Sequence, residues 1–233
     1  MTTVAIIGNP NVGKTELFNR LTGMRQHVGN WPGVTVEKKT GKFTYRGEEI
    51  EVVDLPGTYS LATQAKDELI SRSYILKERP DVVVDIVDAT SLERNLYLTL
   101  LLLELEANLV LALNRWDMAR ERSIGIDAEK LSELLGSPVV PTVATTGEGV
   151  ERLKETVLNA AKSGGKNRKV VVGYGEDAEA AIAEVEDAVR MDAELSSRYP
   201  PRWLAIKVLE KDDQVMRLID ASSHRRKIAA AVE

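Results

Sequence analysis

Two rhythms of apolar and polar positions run along this 233-residue chain. Runs rich in apolar or β-branched residues cover 2–8, 81–87 (with Asp81 and Asp85 among them) and 109–113, and such runs mark strands buried on both faces of a sheet. Between them, apolar residues spaced three and four apart predict helices over 14–22, Asp67–Lys77, Ser91 to about Glu106, Asp127–Leu135 and Gly149–Ala161, with Ser91 and Asp127 as N-caps. Val36–Tyr45 and Glu48–Asp54 instead alternate around Arg46-Gly47, the pattern of an antiparallel hairpin. Val139–Val143 predicts a last strand. Residues 23–35, with Gly23, Gly29, Pro32 and Gly33, have the composition of a mobile loop. Strands alternating with helices imply an α/β fold, a mostly parallel sheet covered on both faces with one antiparallel edge hairpin.

The pattern changes at Ser163-Gly164-Gly165-Lys166-Asn167-Arg168-Lys169, a flexible basic stretch that predicts a boundary between a first domain, 1–163, and a small helical domain, 164–233. After a short β-branched stretch (Val170–Val172), helices are expected over Asp177–Asp192, Arg202–Glu210 and Asp212–Val232. Pro200-Pro201 suits the first turn of the second. So short a helical piece buries little by itself and is expected to dock on the first domain.

Chemistry enters at Gly8-Asn9-Pro10-Asn11-Val12-Gly13-Lys14-Thr15. This is G-x-x-x-x-G-K-T, set between a predicted strand (Val4, Ala5, Ile6, Ile7) and a predicted helix (Leu17, Phe18, Leu21), the context that makes it a phosphate-binding loop. Glycines let backbone N–H groups approach a polyphosphate, and the helix N-terminus adds favourable partial charge. Lys14 would neutralise the β and γ phosphates and the Thr15 hydroxyl would sit on Mg²⁺. Asp54-Leu55-Pro56-Gly57 closes a second strand: Asp54 can hold Mg²⁺ through a water, and the Gly57 N–H can reach the γ-phosphate. Asn114-Arg115-Trp116-Asp117 closes a third. There the Asp117 carboxylate can accept from N1–H and the exocyclic amine of guanine, which adenine does not offer. Ordered together, these elements specify GTP and GDP as ligands.

Composition trims the alternatives. With 31 basic against 36 acidic side chains, the net charge of −5 argues against a nucleic-acid surface. There is no cysteine, hence neither disulfide nor thiolate metal site. The N-terminus runs straight into the first strand without the pattern of a leader, so the cytosol or a cytosol-facing site is expected. The most apolar window, Leu96–Leu103, stops at Glu104 and Glu106, short of the ~20 residues of a spanning helix.

With these motifs in place the chain resembles a Ras-like P-loop G domain. It is more closely similar to the cytosolic N-terminal region of the bacterial and archaeal FeoB family of ferrous iron transporters. The resemblance is carried by residues 28–37 (VGNWPGVTVE), 54–61 (DLPGTYSL), 88–98 (DATSLERNLYL) and 202–210 (RWLAIKVLE), the last resembling the family's helical domain with its nucleotide-dissociation-inhibitor-like character. It implies a slowly hydrolysing GTPase switch that regulates ferrous iron transport from the cytoplasmic face of the cell membrane, joined to a membrane transport domain of the same polypeptide. Thr35 would close on Mg²⁺ and the γ-phosphate, with 26–36 and 55–66 as the two switches. Ala144-Thr145-Thr146 would meet the base O6 mainly through backbone. Asn11 would help hold K⁺ against the phosphates, with carbonyls near Gly29 and Trp31 completing that site. Lys14, Thr35, Gly57 and Asn11 are thus the catalytic set, with Mg²⁺, and K⁺ as a second cation. Position 58 is Thr where Ras-type enzymes keep a water-orienting glutamine, which implies slow intrinsic turnover. Homo-oligomerisation stays open.

Blander readings stand beside these. Asn11 can equally stabilise its own loop. Arg115 either lies over the base or is solvated, and Trp31 either meets the nucleotide or a partner or is tucked against the domain. Asp88 is expected to cap a turn and Asp85 to pair locally. His27 and His224 read as surface histidines, and His224–Lys227 as a solvated face with i,i+4 pairs. A free-standing assembly or RNA-associated GTPase is the second functional reading, and a GDP-holding binding module the third.

Overall fold

A computed structural model describes residues 1–23, 26–62, 65–164 and 170–232. The first part of the chain runs β1 (Thr2–Gly8), α1 (Lys14–Thr22), β2 (Gln26–Asn30), β3 (Glu37–Tyr45), β4 (Glu48–Asp54), α2 (Lys66–Glu78) and β5 (Val82–Asp88). After a 3-10 turn at Ala89–Ser91 come α3 (Leu92–Glu104), β6 (Leu109–Asn114), α4 (Trp116–Glu121), α5 (Ala128–Leu135), β7 (Val139–Pro141) and α6 (Val150–Ser163). The helical part follows as α7 (Glu176–Arg190), α8 (Ala193–Arg198), α9 (Pro201–Leu209), α10 (Asp213–Asp220) and α11 (Arg225–Ala230).

The strands form one seven-stranded sheet in the order β2-β3-β4-β1-β5-β6-β7. β4, β1, β5, β6 and β7 are parallel, and β2 and β3 run antiparallel at one edge. Strand periodicity sorts the core onto two faces. Val4, Ile6, Val84, Ile86 and Val110 face α1 and α6. Ala5, Ile7, Val83, Val87, Leu111 and Leu113 face the opposite way, and their cluster continues without a break into Ile182, Val185, Trp203, Leu204 and Ile219 of the helical part. The docking expected from its small size is therefore observed: the helical part shares a core with the α2–α3 side of the sheet. Arg72 of α2, itself buried, reinforces it with two hydrogen bonds to Asp212, at 2.7 and 3.0 Å.

Several expectations are corrected. Residues 26–30 belong to a strand rather than a loop. Every β2 side chain is exposed, so the strand is held by its backbone ladder to β3, from Gln26 opposite Gly41 to Asn30 opposite Glu37. The helix expected to end at Asp192 stops at Arg190, because the Asp192 carboxylate accepts from the N–H groups of Glu194 and Leu195 and so caps α8. The single helix expected over Asp212–Val232 is two. Ser222 interrupts it: its hydroxyl donates to Asp192 and accepts from the His224 N–H, competing with the helical backbone. Ser91 makes no side-chain cap, and Val170–Val172 forms no strand. The boundary residues 165–169 lie outside the described ones. Among the described residues no helix is long and apolar enough to cross a membrane.

Candidate functional site

The carboxyl ends of β1, β4, β5 and β6 open on one edge of the sheet, and the loops that leave them build the site. Gly8 to Thr15 joins β1 to α1. Gly8 and Gly13 are there for close approach: a Cβ on Gly8 would lie 2.6 Å from the Ile86 carbonyl oxygen, and one on Gly13 2.4 Å from Asn114 Nδ2. Gly13 also has φ +89°, and Asn11 φ 66°, in the left-handed region where glycine and asparagine are most at ease. Asn9 and Val12 are buried, whereas Pro10, Asn11 and Thr15 face out. The loop thus winds around the N-terminus of α1 with the Asn11 amide and the Thr15 hydroxyl outward and the Asn9 amide inward.

Asp54 ends β4 beside it. The Lys14 ammonium pairs directly with the Asp54 carboxylate, and both are largely buried. Burial pushes the Asp54 carboxyl above the ordinary carboxylate range, and the Lys14 charge opposes that rise. Gly57 lies against the same loop, with room for a Cβ 3.6 Å from the Gly8 carbonyl oxygen, and the Thr58 N–H donates to that carbonyl at 3.2 Å. The buried Thr58 hydroxyl donates to Ser60 O at 2.7 Å, turned into its own loop. Residues 63 and 64, within the expected second switch, lie outside the described ones.

The segment expected as the first switch, 26–36, forms β2 and the turn that leads into β3. Lys39 lies opposite Asp54, so the turn over 31–36 is delivered to the site's edge of the sheet, with Thr35 exposed in it. The carbonyls expected to complete a K⁺ site are otherwise engaged here: Gly29 stands in the ladder opposite Lys38, and the Trp31 carbonyl accepts from the Val34 N–H. Trp31 is tucked against the domain, its ring meeting Tyr74 edge-on.

At the other end, Asn114 is a three-way tie. Its Nδ2 donates to Val12 O at 2.8 Å, and its Oδ1 accepts from Ala144 N at 3.0 Å and from the Thr142 hydroxyl at 3.4 Å. One buried amide thereby joins the phosphate loop, the end of β6 and the 144–146 loop. The Ala144 N–H is consequently committed internally, which leaves the Thr145 and Thr146 N–H groups as the backbone donors of that loop. Arg115, at φ 60°, is partly exposed and is tied at its head: it donates to Asp88 Oδ2 at 2.6 Å and to the Asn11 carbonyl. The Asp117 carboxylate, half-buried in the first turn of α4, makes no hydrogen bond or ion pair among the described residues. Arg20 had given no signal in sequence, yet it clamps the 144–146 loop to α1 by donating to the carbonyls of Ala144, at 3.0 Å, and Thr145. Gly149 lets the chain turn after that loop, since a Cβ there would sit 2.1 Å from Pro141 O.

Asp88 caps the turn after β5 by accepting from Thr90 N at 2.8 Å, and Asp85 pairs locally with the Thr99 hydroxyl at 2.6 Å. His27 is exposed, and His224 is half-buried with Nδ1 3.7 Å from Asp192. Arg225, Arg226 and Lys227 are exposed, with no ion pair among the described residues, so the expected i,i+4 pairs are not formed.

Sheet order, loop placement and the Asn114 tie define a class: a Ras-like G domain carrying a helical part on its α2–α3 side. Two family models then match, that of ferrous iron transport protein B over residues 2–157 and that of the FeoB cytosolic helical domain over 174–233. The chain belongs to the ferrous iron transport protein B family. It is 43% identical over 218 residues to the Fe(2+) transport protein A/Fe(2+) transporter FeoB fusion protein of Porphyromonas gingivalis, covering 93% of this chain and 26% of that one. To the Fe(2+) transporter FeoB of Escherichia coli K12 it is 45% identical over 215 residues, 90% of this chain and 27% of that one. The chain thus spans about a quarter of the length of these curated relatives. Among solved structures, the cytosolic domain of the T. maritima FeoB iron transporter matches in a GDP form (TM-score 0.88, 42% identity, 100% of this chain and 93% of that one). It matches equally in a GMPPNP form (TM-score 0.88, 41% identity, 100% and 98%). The helical part therefore matches a transporter's helical domain, which removes the ground for reading the chain as an RNA-associated GTPase.

Proposed function

We propose that this chain is the GTP-binding, slowly GTP-hydrolysing switch of a ferrous iron transporter, placed at the cytoplasmic face of the membrane and continuous with a transport domain in the same polypeptide. We take residues 1–163 as the G domain and 164–233 as the helical domain that relays its state. The observation that carries this is the Asn114 tie, which sets a phosphate loop and a guanine-type loop at fixed spacing in a chain of this family.

Backbone N–H groups from Asn11 to Thr15 and the Lys14 ammonium hold the β and γ phosphates, Lys14 exchanging Asp54 for phosphate oxygen. Asp117 reads the guanine edge, and the Thr145 and Thr146 N–H groups face O6. Arg115 steadies the loops by its bonds to Asp88 and Asn11. Thr15, Thr35 and, through water, Asp54 form the hard-oxygen donor set that Mg²⁺ takes. The buried Asp54 carboxylate, already held against one cation, fits that demand. When bound, Mg²⁺ neutralises the charge between the β and γ phosphates. Thr35 and the Gly57 N–H close on the γ-phosphate, so the triphosphate state differs from the diphosphate state in the 26–36 and 55–66 segments. With the Thr58 hydroxyl turned to Ser60, no glutamine-like side chain orients the attacking water, and turnover is slow. Asn11, exposed on the loop, would offer a side-chain oxygen to K⁺, which would supply positive charge beside the phosphates.

The test is a change of base preference. In Asp117→Asn the carboxylate acceptor becomes an amide that can donate to the 2-oxo group of xanthine, so GDP affinity falls at least about 100-fold and XDP binding appears. Unchanged GDP affinity measured by calorimetry would sink the assignment. Hydrolysis assayed in potassium and in sodium chloride tests the second cation: equal rates remove it.

A further inference from the structure

The Trp31 side chain is out of keeping with its surroundings. β2 before it is exposed throughout, and so are Pro32, Gly33 and Thr35 after it. Trp31 is only 7% exposed. Its ring meets Tyr74 of α2 edge-on, centroids 5.4 Å apart and planes at 75°, and the Lys38 ammonium lies 4.9 Å from its centroid. The ring lines a groove of about 510 Å³ between the β3–β4 surface and α2. Val53, Leu69 and Ile70 line the same groove. Yet the fit is incomplete. The indole Nε1 is buried with no acceptor among the described residues, and an orphaned buried donor works against keeping the ring there.

We infer that Trp31 is a positioning residue: its indole latches the 26–36 segment onto α2 in the retracted hairpin and leaves the groove when Thr35 turns toward the phosphates. The inference rests on the GTPase reading above. Backbone geometry ties ring and switch together. The Trp31 N–H donates to Val36 O at 2.9 Å and the Val34 N–H to Trp31 O at 3.2 Å, so the turn that presents Thr35 is closed by the residue whose ring is docked. Tyr74 belongs to α2, the helix that follows the 55–66 segment, so the aromatic contact ties the 26–36 segment to the element next to 55–66. The edge-on contact with Tyr74 and the Lys38 cation favour the docked ring, and the orphaned Nε1 disfavours it. A contact balanced in this way can be released by the modest free energy of the γ-phosphate contacts.

Fluorine NMR on the full chain labelled with 5-fluorotryptophan tests this. The three tryptophans give separate resonances, Trp31 being assigned by Trp31→Phe. Occupancy by GDP or GMPPNP, each with Mg²⁺ and K⁺, is fixed independently by calorimetry. With GMPPNP the Trp31 resonance moves and gains an H₂O/D₂O solvent shift, while with GDP it does not; Trp203 stays put in both. An identical, solvent-shielded Trp31 resonance at full occupancy by both nucleotides would falsify the latch and leave the GTPase reading intact. Failure of either nucleotide to bind shows in the calorimetry and removes both readings. In addition, Trp31→Ala raises the ratio of GMPPNP to GDP affinity about tenfold, because it weakens only the retracted conformation. Trp31→Phe, which keeps a ring against Tyr74, changes the ratio less than about threefold. Affinities for both nucleotides that shift in parallel overturn the proposal.

Discussion

The phosphate loop and the β2–β3 turn are both glycine-bearing loops on the same edge of the sheet, and they are held in opposite ways. Around Gly8 and Gly13 there is no room for a methyl group, and a buried amide pins the loop to two others. Around Gly29 and Gly33 nothing lies within 4 Å of a Cβ, and the turn is held by a backbone ladder at the sheet's edge and by one docked ring. Glycine serves close approach in the first loop and freedom in the second. The switch proposed above would need one of each: a firmly held cradle and a flap whose contacts are few enough to exchange.

The sharpest break of this comparison is a pair of glycine substitutions. Gly13→Ala drives a methyl into Asn114 at a positive φ, so we expect a loss of about 3 kcal/mol or more in denaturant unfolding and no measurable GDP binding. Gly33→Ala meets only the strain of φ +76° in open space, about 1 kcal/mol, with GDP affinity nearly unchanged. Similar effects from the two would end the distinction. Asn114→Ala follows in size. It leaves the Val12 carbonyl and Ala144 N–H unpaired in a buried site, so stability falls by about 2–4 kcal/mol and GDP affinity falls with it. Loss of affinity without loss of stability would mean that Asn114 acts on the ligand alone.

How much of this was legible in the sequence follows the same division. β1, β5 and β6 are buried on both faces, so contiguous apolar runs betray them. β2 buries no side chain, so hydrophobic periodicity carries no trace of it, and it was expected as loop. α4 and α8, six residues each, are too short for a helical period to emerge, although Asp192 as a cap was a signal that could have been read. Within the site, the phosphate loop, Asp54 to Gly57 and Asn114 to Asp117 are local strings, and the fold does bring them to one edge. What was not legible joins distant positions. Asn114 and Val12 are 102 residues apart, Arg20 and Ala144 are 124 apart, and no local pattern encodes such a meeting. Arg115 shows the limit: neither base stacking nor solvation anticipated its bridge from Asp88 to the Asn11 carbonyl.

The rigid side can be probed by pH. Asp85 is buried in β5 beneath the cradle, and burial pushes its carboxyl up to about 7 against the hydrogen bond from Thr99. The unfolded chain ionises this group near ~3.9. The folded state therefore holds an extra proton between those values. The stability this provides is complete below about pH 4 and is lost as pH rises through 7. Asp85→Asn keeps an acceptor for Thr99 and cannot ionise, so thermal unfolding should show it more stable than the parent by about 1–3 kcal/mol at pH 8, with the gain shrinking toward pH 5. A gain that is the same at both pH values means that Asp85 titrates in the fold as it does in the unfolded chain, and so that water reaches the sheet under the loop.

The smallest expected effect on GDP binding and stability is in the β2–β3 turn, and it is small for a stated reason. Thr35 is exposed in the turn, so Thr35→Ala removes nothing the retracted hairpin uses. GDP affinity should stay within about twofold and the unfolding midpoint should be unchanged. The γ-phosphate state, in contrast, loses the hydroxyl that draws the turn across the site. GMPPNP then binds without its added protection of the 26–36 amides in hydrogen exchange, and single-turnover hydrolysis drops about tenfold or more. Because a ligand shifts a conformational equilibrium only through its differential contacts, a Thr35→Ala chain whose amides are still protected by GMPPNP would place the sensing contact elsewhere in the turn. Combining Thr35→Ala with Trp31→Ala separates the two forces. If Thr35 pulls the turn in and Trp31 holds it out, the double variant has a free turn in both nucleotide states, and its exchange rates with GDP and with GMPPNP converge.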